Sequence, residues 1–298
     1  MKRKNQFKLG TTATSYLMMA PFMILFFVFT VIPVFVTIGI SFTDFNVLQT
    51  PNFVGWQNYI NLFINDDIFL KSLSNTLVYA AVTGPLGYVI AFLAAWMLNE
   101  MGRYAKAFLT FILYIPSISG SAFVIWQLIF DGDVYGYANS LLMSIGFIDE
   151  PIQWLTTEAY IMPIIIIVQL WMSMGMGFLS MRAGFSAIDK QLYEAAAVDG
   201  VKNRYQELWY ITVPAMAPHM MTAAVMQIGS MFANAAVSMS LVGNPSTNYA
   251  GHLLMNHLTD YSSTRLQRGY ASAISIILFI LMISINKLVI RLINKVGK

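Results

Sequence analysis

The feature that most constrains this chain is a series of long apolar stretches with no Asp, Glu, Lys or Arg in their cores, separated by short polar segments. A hydrocarbon layer about 30 Å thick needs around 20 apolar residues per helix, and six stretches are that long. They are residues 15–40, 73–98, 107–130, 159–181, 218–242 and 271–290. The chain is 57% hydrophobic and only 10% charged, against roughly 25% charged in an ordinary soluble domain. An all-α integral membrane protein of one domain, residues 1–298, with about six transmembrane helices is expected.

The first stretch follows Lys2, Arg3, Lys4 and Lys8 as a signal peptide would, but its apolar run exceeds a 7–15-residue signal core. It reads as an uncleaved anchor interrupted by Pro21 and Pro33. Alternating the loops between two sides puts most basic residues with the N-terminus: Lys2, Arg3, Lys4, Lys8, Arg103, Lys106, Arg182, Lys190, Lys202, Arg204, Lys287, Arg291, Lys295 and Lys298. Only Lys71, Arg265 and Arg268 fall opposite, together with most of the acids. The positive-inside rule then sets both termini in the cytoplasm, and the basic tails need no nucleic acid to explain them.

With no cysteine in the chain, disulfides and thiolate chemistry are excluded. His252 and His257 have no carboxylate at ligand spacing, so no metal site is expected, and no nucleophile, base and acid stand in catalytic order. The segments 42–72 and 131–158 are polar and turn-rich, suited to a cap or a docking surface on the outer side.

The longest inner loop, 182–213, reads as a short helix, a break and a second short helix. Ser186 with Asp189 fits a capping box, Asp189–Val198 is rich in helix formers, and Asp199-Gly200 closes the helix. A second stretch over Asn203–Ile211 runs to Pro214. Such a unit suits a groove on a partner, or a lid over the inner face of the bundle.

Within this loop, Glu194-Ala195-Ala196, then Gly200, then Ile211-Thr212-Val213-Pro214 resembles the EAA motif of binding-protein-dependent ABC importer permeases. Leu192-Tyr193 and Asn52-Phe53-Val54-Gly55-Trp56-Gln57-Asn58-Tyr59 look like its maltose-type, carbohydrate-importing branch. The resemblance implies a type I importer permease fold in a bacterial cytoplasmic membrane. It also implies a homologous second permease subunit in a heterodimer, two ATPase subunits holding ATP and Mg, and an extracellular or periplasmic sugar-binding protein. By the same resemblance Glu194, Ala195, Ala196, Asp199 and Gly200 couple to the ATPase. One residue more than the usual spacing separates Gly200 from Ile211, which in an unbroken α-helix rotates the later positions by about 100°.

The chain has no phosphate-cradling G-x-x-x-x-G-K-[ST] loop and no ionisable residue in a span core of the kind that drives ion-coupled carriers. Energy is therefore expected through the 182–213 loop, and the chain itself is expected to catalyse nothing. Gln227, Ser230, Asn234 and Ser238 fall on one helical face, and polar groups in hydrocarbon need partners. They line a substrate path or bond neighbouring helices. Asn75 and Tyr79, with Thr83, form a weaker stripe, and Gln169 interrupts the fourth span. Carboxamides with aromatics and no cation suit a neutral sugar over an anion. An ion-coupled or facilitative carrier is the alternative.

Overall fold

The computed structural model describes residues 11–120, 122–233 and 235–296. Lys2, Arg3, Lys4, Lys8, Asn234 and Lys298 lie outside the described residues. In chain order the helices are α1 Thr11–Phe26, α2 Ile32–Ile40, α3 Gln57–Ile64, α4 Asp67–Asn99, α5 Arg103–Ile118, α6 Phe123–Ile129, α7 Tyr137–Ser144 and α8 Glu158–Met172. They continue as α9 Met176–Ala187, α10 Lys190–Val198, α11 Arg204–Glu207, α12 Val213–Ala233, α13 Ala236–Val242, α14 Leu254–Thr259 and α15 Arg268–Val296. One isolated antiparallel bridge, Thr43 to Phe53, ties the first outer segment.

Four helices are long and apolar enough to cross a membrane, Thr14–Ile40, Asp67–Asn99, Glu158–Ala187 and Arg268–Ile293, and two bent pairs bring the number to six. The pairs are α5 with α6, set at 85°, and Arg204–Ala233 with α13, set at 41°. All six expected stretches are thus helical, but not all are continuous. α4 alone has 33 residues, about 50 Å at 1.5 Å per residue. Asp66 caps it by accepting a hydrogen bond from Phe69 N–H at 2.8 Å, and Asp67 places negative charge in the first turn, where the helix dipole favours it.

The bundle is organised around α4, α8, α9 and α12, and α15 packs on α12 and α2. Close approach of α9 and α12 depends on two glycines. A Cβ on Gly177 would lie 3.1 Å from Ala223 O, and one on Gly184 would lie 2.8 Å from His219 Cβ. Small residues at such crossings let membrane helices approach closely where hydrophobic burial gives no drive. In contrast, the first span keeps its apolar side chains exposed, Phe22, Phe29 and Phe35 among them.

Prolines shape two spans. Ile32 N–H bonds Phe27 O and Val213 N–H bonds Leu208 O, each five residues back, so a π turn stands just before Pro33 and just before Pro214. Proline supplies no N–H and its ring crowds the carbonyl four residues back; the wider turn gives that carbonyl room. Pro214 therefore does not end the second inner helix, contrary to expectation. The helix runs unbroken from Arg204 to Ala233.

The outer end is closed by buried polar contacts. Asn75 Nδ2 donates to Tyr249 O at 2.9 Å and to His252 O at 3.0 Å. Asn75→Leu strands His252 O, while Tyr249 O keeps the His252 N–H at 3.2 Å, and we expect it to lower stability by about 1–3 kcal/mol, read as a lower unfolding temperature in detergent.

Candidate functional site: an intramembrane cavity and an inner coupling loop

Three spans break within the bundle, and the cavity forms beside two of the breaks. α8 stops at Met172 and α9 resumes at Met176, leaving Ser173 and Gly175 at the discontinuity. α5 ends at Ile118 after Pro116 and Ser117. A cavity of about 420 Å³ lies there, lined by Thr83, Tyr114, Ser117, Gln169, Ser173, Gln227 and Ser230 with four methionines and three glycines. Among the described residues no charged side chain and no histidine lines it. Broken helices of this kind are tolerated in a membrane where they face a cavity or protein.

The polar atoms of the cavity are mostly acceptors. Ser117, Ser173, Ser230 and Thr83 each donate to a carbonyl of their own helix, which leaves oxygen lone pairs free. Gln169 Oε1 and Gln227 Oε1 are buried without a hydrogen-bond partner, a costly arrangement unless a ligand or water supplies a donor. Gly87 makes space for the second of these amides, since a Cβ there would come within 2.6 Å of Gln227 Nε2. We expect Gly87→Ala to displace the Gln227 amide and reduce uptake several-fold, without the loss of folded protein that a buried backbone clash gives; uptake assays paired with thermal unfolding check this.

The structure divides the residues singled out in the sequence. Gln169, Gln227 and Ser230 line the cavity. Asn75 is spent on outer carbonyls, and Tyr79 is buried among the core side chains. Ser238 Oγ is fully buried, donates to Gly251 O at 2.5 Å and accepts from Asn256 Nδ2 at 3.0 Å. Ser238 also stands on α13, beyond the helix break, so it does not share one helical face with Gln227 and Ser230. Tyr114 and Ser117 were not anticipated. The signal for them was Pro116 with Ser117, Ser119 and Gly120 inside an apolar stretch, the composition of a broken helix.

The inner loop is built as a capped unit. Asp189, not Ser186, caps α10, accepting from Gln191 N–H at 3.0 Å; Ser186 Oγ instead donates to Arg182 O. At the other end Gly200 has φ +93, and the bonds Gly200 N–H to Ala197 O and Val201 N–H to Ala196 O make a Schellman closure. Tyr193 OH and Thr212 Oγ1 lie 2.9 Å apart, and Ala196 is buried. One side of α10 is thereby fastened to the base of α12. Its other side, Glu194, Ala195 and Val198, is exposed, Val198 by 88%. Arg204 pairs with Glu100, joining the loop to the α4–α5 turn. A π turn, Leu208–Thr212, follows Gly200 before α12, and a turn of that kind accommodates one residue more than an α-helical turn.

At the outer end, Asp66 Oδ2 accepts from Tyr270 OH at 2.8 Å and lies 3.1 Å from His257 Nε2, and His257 Nδ1 is 3.4 Å from His252 Nε2. Chain folding thus brings His257 a carboxylate that local spacing did not. Among the described residues no three His, Asp or Glu side chains are grouped to hold a metal. Burial works against the Asp66 charge, but hydrogen bonds from His257, Phe69 N–H and Tyr270 outweigh it and hold the carboxyl at about 2. Burial, then the charge of His257, pushes His252 down to about 4.

Both folded values lie below the unfolded ones, near 3.9 for Asp and 6.5 for His. Their stability is present at neutral pH and is lost as pH falls: for His252 between about 6.5 and 4, for Asp66 between about 4 and 2. Unfolding temperature should drop from pH 7 to pH 5, and His252→Gln should flatten that slope.

Residues 84–297 match the family model described as binding-protein-dependent transport system inner membrane component. The chain belongs to this family. The probable ABC transporter permease protein YesP of Bacillus subtilis (strain 168) is 30% identical over 95% of this chain and 90% of its own length. The arabinooligosaccharides transport system permease protein AraP of the same organism is 30% identical over 94% and 88%. Among solved structures, a bacterial ABC transporter involved in import of the acidic polysaccharide alginate superposes with TM-score 0.74 at 22% identity, covering 96% of each chain. The fold is that of a type I ABC importer permease, and the chain is an ABC permease subunit.

Proposed function

We propose that this chain is the permease subunit of an ATP-driven importer that carries a neutral oligosaccharide into the cytoplasm. The observation that carries the reading is the cavity at the helix breaks: uncharged, rich in acceptors and holding two buried carboxamide oxygens with no donor. A sugar is a dense array of hydroxyl donors, so it meets those acceptors directly; a uronate brings further acceptors and a charge with no cation to receive it. The alginate importer handles an acidic polysaccharide, and AraP is named for arabinooligosaccharides; the cavity here sides with the neutral class.

Energy enters at the exposed face of α10. Glu194, Ala195 and Val198 offer the contact surface to an ATPase subunit that holds ATP and Mg, and Asp199-Gly200 sets the angle of the next helix. The Tyr193–Thr212 bond and the Arg204–Glu100 pair transmit motion to α12 and α4, which line the cavity. A homologous second permease subunit, a second ATPase subunit and an extracellular sugar-binding protein complete the complex. Both termini face the cytoplasm, where the basic residues concentrate.

Uptake into proteoliposomes holding the full complex tests the cargo. Neutral oligosaccharides delivered by the cognate binding protein should accumulate, and uronate oligosaccharides of equal length should neither accumulate nor compete. Preferential uptake of the uronate would overturn the neutral assignment.

A further inference from the structure

Arg182 lies on α9 five residues before the helix ends at Ala187. Its Nε and Nη1 are buried and make no hydrogen bond, and it takes part in none of the ion pairs among the described residues. A guanidinium with two desolvated, unanswered donors is costly, and native structures rarely leave one so. Lys106 stands on α5, its Nζ donating to Asn99 O at 2.8 Å, and Leu109, one turn further on, packs in the same cluster as Met181, the neighbour of Arg182. Cations on α5 and α9 thus stand on neighbouring helices where the bundle meets the coupling loop. The nearest carboxylate of the α4–α5 turn, Glu100, is already taken by Arg204.

We propose that Lys106 and Arg182 bind the phosphate group of an anionic phospholipid in the leaflet next to the coupling loop. A phosphate supplies the acceptors that Arg182 lacks, in the forked geometry a guanidinium favours. Basic pockets between membrane helices near the interface suit such headgroups. What favours a lipid over a soluble anion is the helix that carries Lys106: in its next two turns Phe108, Phe111 and Ile112 are exposed by 63%, 61% and 43%, a surface for acyl chains beside the headgroup. The lipid then braces the corner between α9 and α10, where the loop must move as one piece with the bundle.

The test uses the assembled transporter with its ATPase subunits, reconstituted in phosphatidylcholine with or without phosphatidylglycerol, then released in mild detergent for native mass spectrometry. Retained phosphatidylglycerol should fall about fivefold in Arg182→Gln and in Lys106→Gln, the change expected for about one surface cation each. Phosphatidylglycerol should raise the unfolding temperature, and inorganic phosphate added to the phosphatidylcholine sample should not. Equal retention by wild type and both variants would overturn the proposal. So would inorganic phosphate replacing the lipid effect, which would make this a soluble-anion site, or loss of the ATPase subunit from both variants with lipid retention unchanged, which would make the cations partners of a protein acid. If Arg182→Gln does not assemble, Lys106→Gln carries the same reading.

Discussion

Gly200→Pro is expected to abolish ATP-driven uptake and to release the ATPase subunit during purification in mild detergent. Gly200 sits at φ +93, whereas proline is held near −65°, and proline also lacks the N–H that bonds Ala197 O. Forcing proline there costs about 3 kcal/mol or more, enough to cut the population of the native loop on the order of a hundredfold. The space around a Cβ at Gly200 is open, with nothing within 4 Å, so the penalty comes from backbone conformation and not from collision. A graded series follows. Gly200→Asn, tolerant of the left-handed region, should retain most activity; Gly200→Ala should lose an intermediate share, about 1–2 kcal/mol; Gly200→Pro should lose nearly all. Equal activity in the three variants would show that this closure does not set the coupling geometry.

The second large effect is expected at Gln227. Gln227→Leu keeps the approximate volume but removes the unpartnered Oε1 and replaces it with apolar surface in the cavity. If that oxygen accepts a sugar hydroxyl, uptake should fall about five- to thirtyfold, the equivalent of one hydrogen bond of about 1–2 kcal/mol. Capture of the ATPase subunit and unfolding temperature should be unchanged or slightly raised, because a buried unsatisfied acceptor has gone. Ser238→Ala gives the contrast. Its hydroxyl donates to Gly251 O and accepts from Asn256, so stability should fall while the cargo preference stays. Full uptake by Gln227→Leu would remove this residue from the path.

The apolar stretches, the body of α10 and its closure at Gly200 were legible in the sequence because each depends on neighbours along the chain: charge-free runs, a run of helix formers, an Asp-Gly at the helix end; the cap itself lies three residues beyond the expected Ser186, at Asp189. The break between α8 and α9 was not legible. A span broken at Ser173–Gly175 reads as one apolar run, since what permits the break is tertiary: adjacent helices and a cavity that receive the freed backbone. The π turn at Leu208–Thr212 was hidden for a related reason. Counting residues from Gly200 to Ile211 shows one more than the usual spacing, but only the hydrogen bond from Val213 to Leu208 shows that a wider turn lies there. Distance along the chain concealed the outer cluster as well. Asp66 is 191 residues from His257 and 204 from Tyr270, so no local spacing pairs them. The polar stripe after the inner loop was legible in part: Gln227 and Ser230 reach the cavity, and Ser238 is turned into packing by the break between α12 and α13.

The absence of charge in the span cores places the chain in a membrane, and in the proposed function energy arrives through the inner loop. Uptake into proteoliposomes containing this chain and its partner permease, with sugar-loaded binding protein outside, tests that most directly when it is measured with and without the ATPase subunits and internal ATP. The structure predicts accumulation only when ATPase and ATP are both present, and none across an imposed proton or sodium gradient alone. Accumulation driven by the gradient without the ATPase would contradict the coupling role of the Glu194–Gly200 loop.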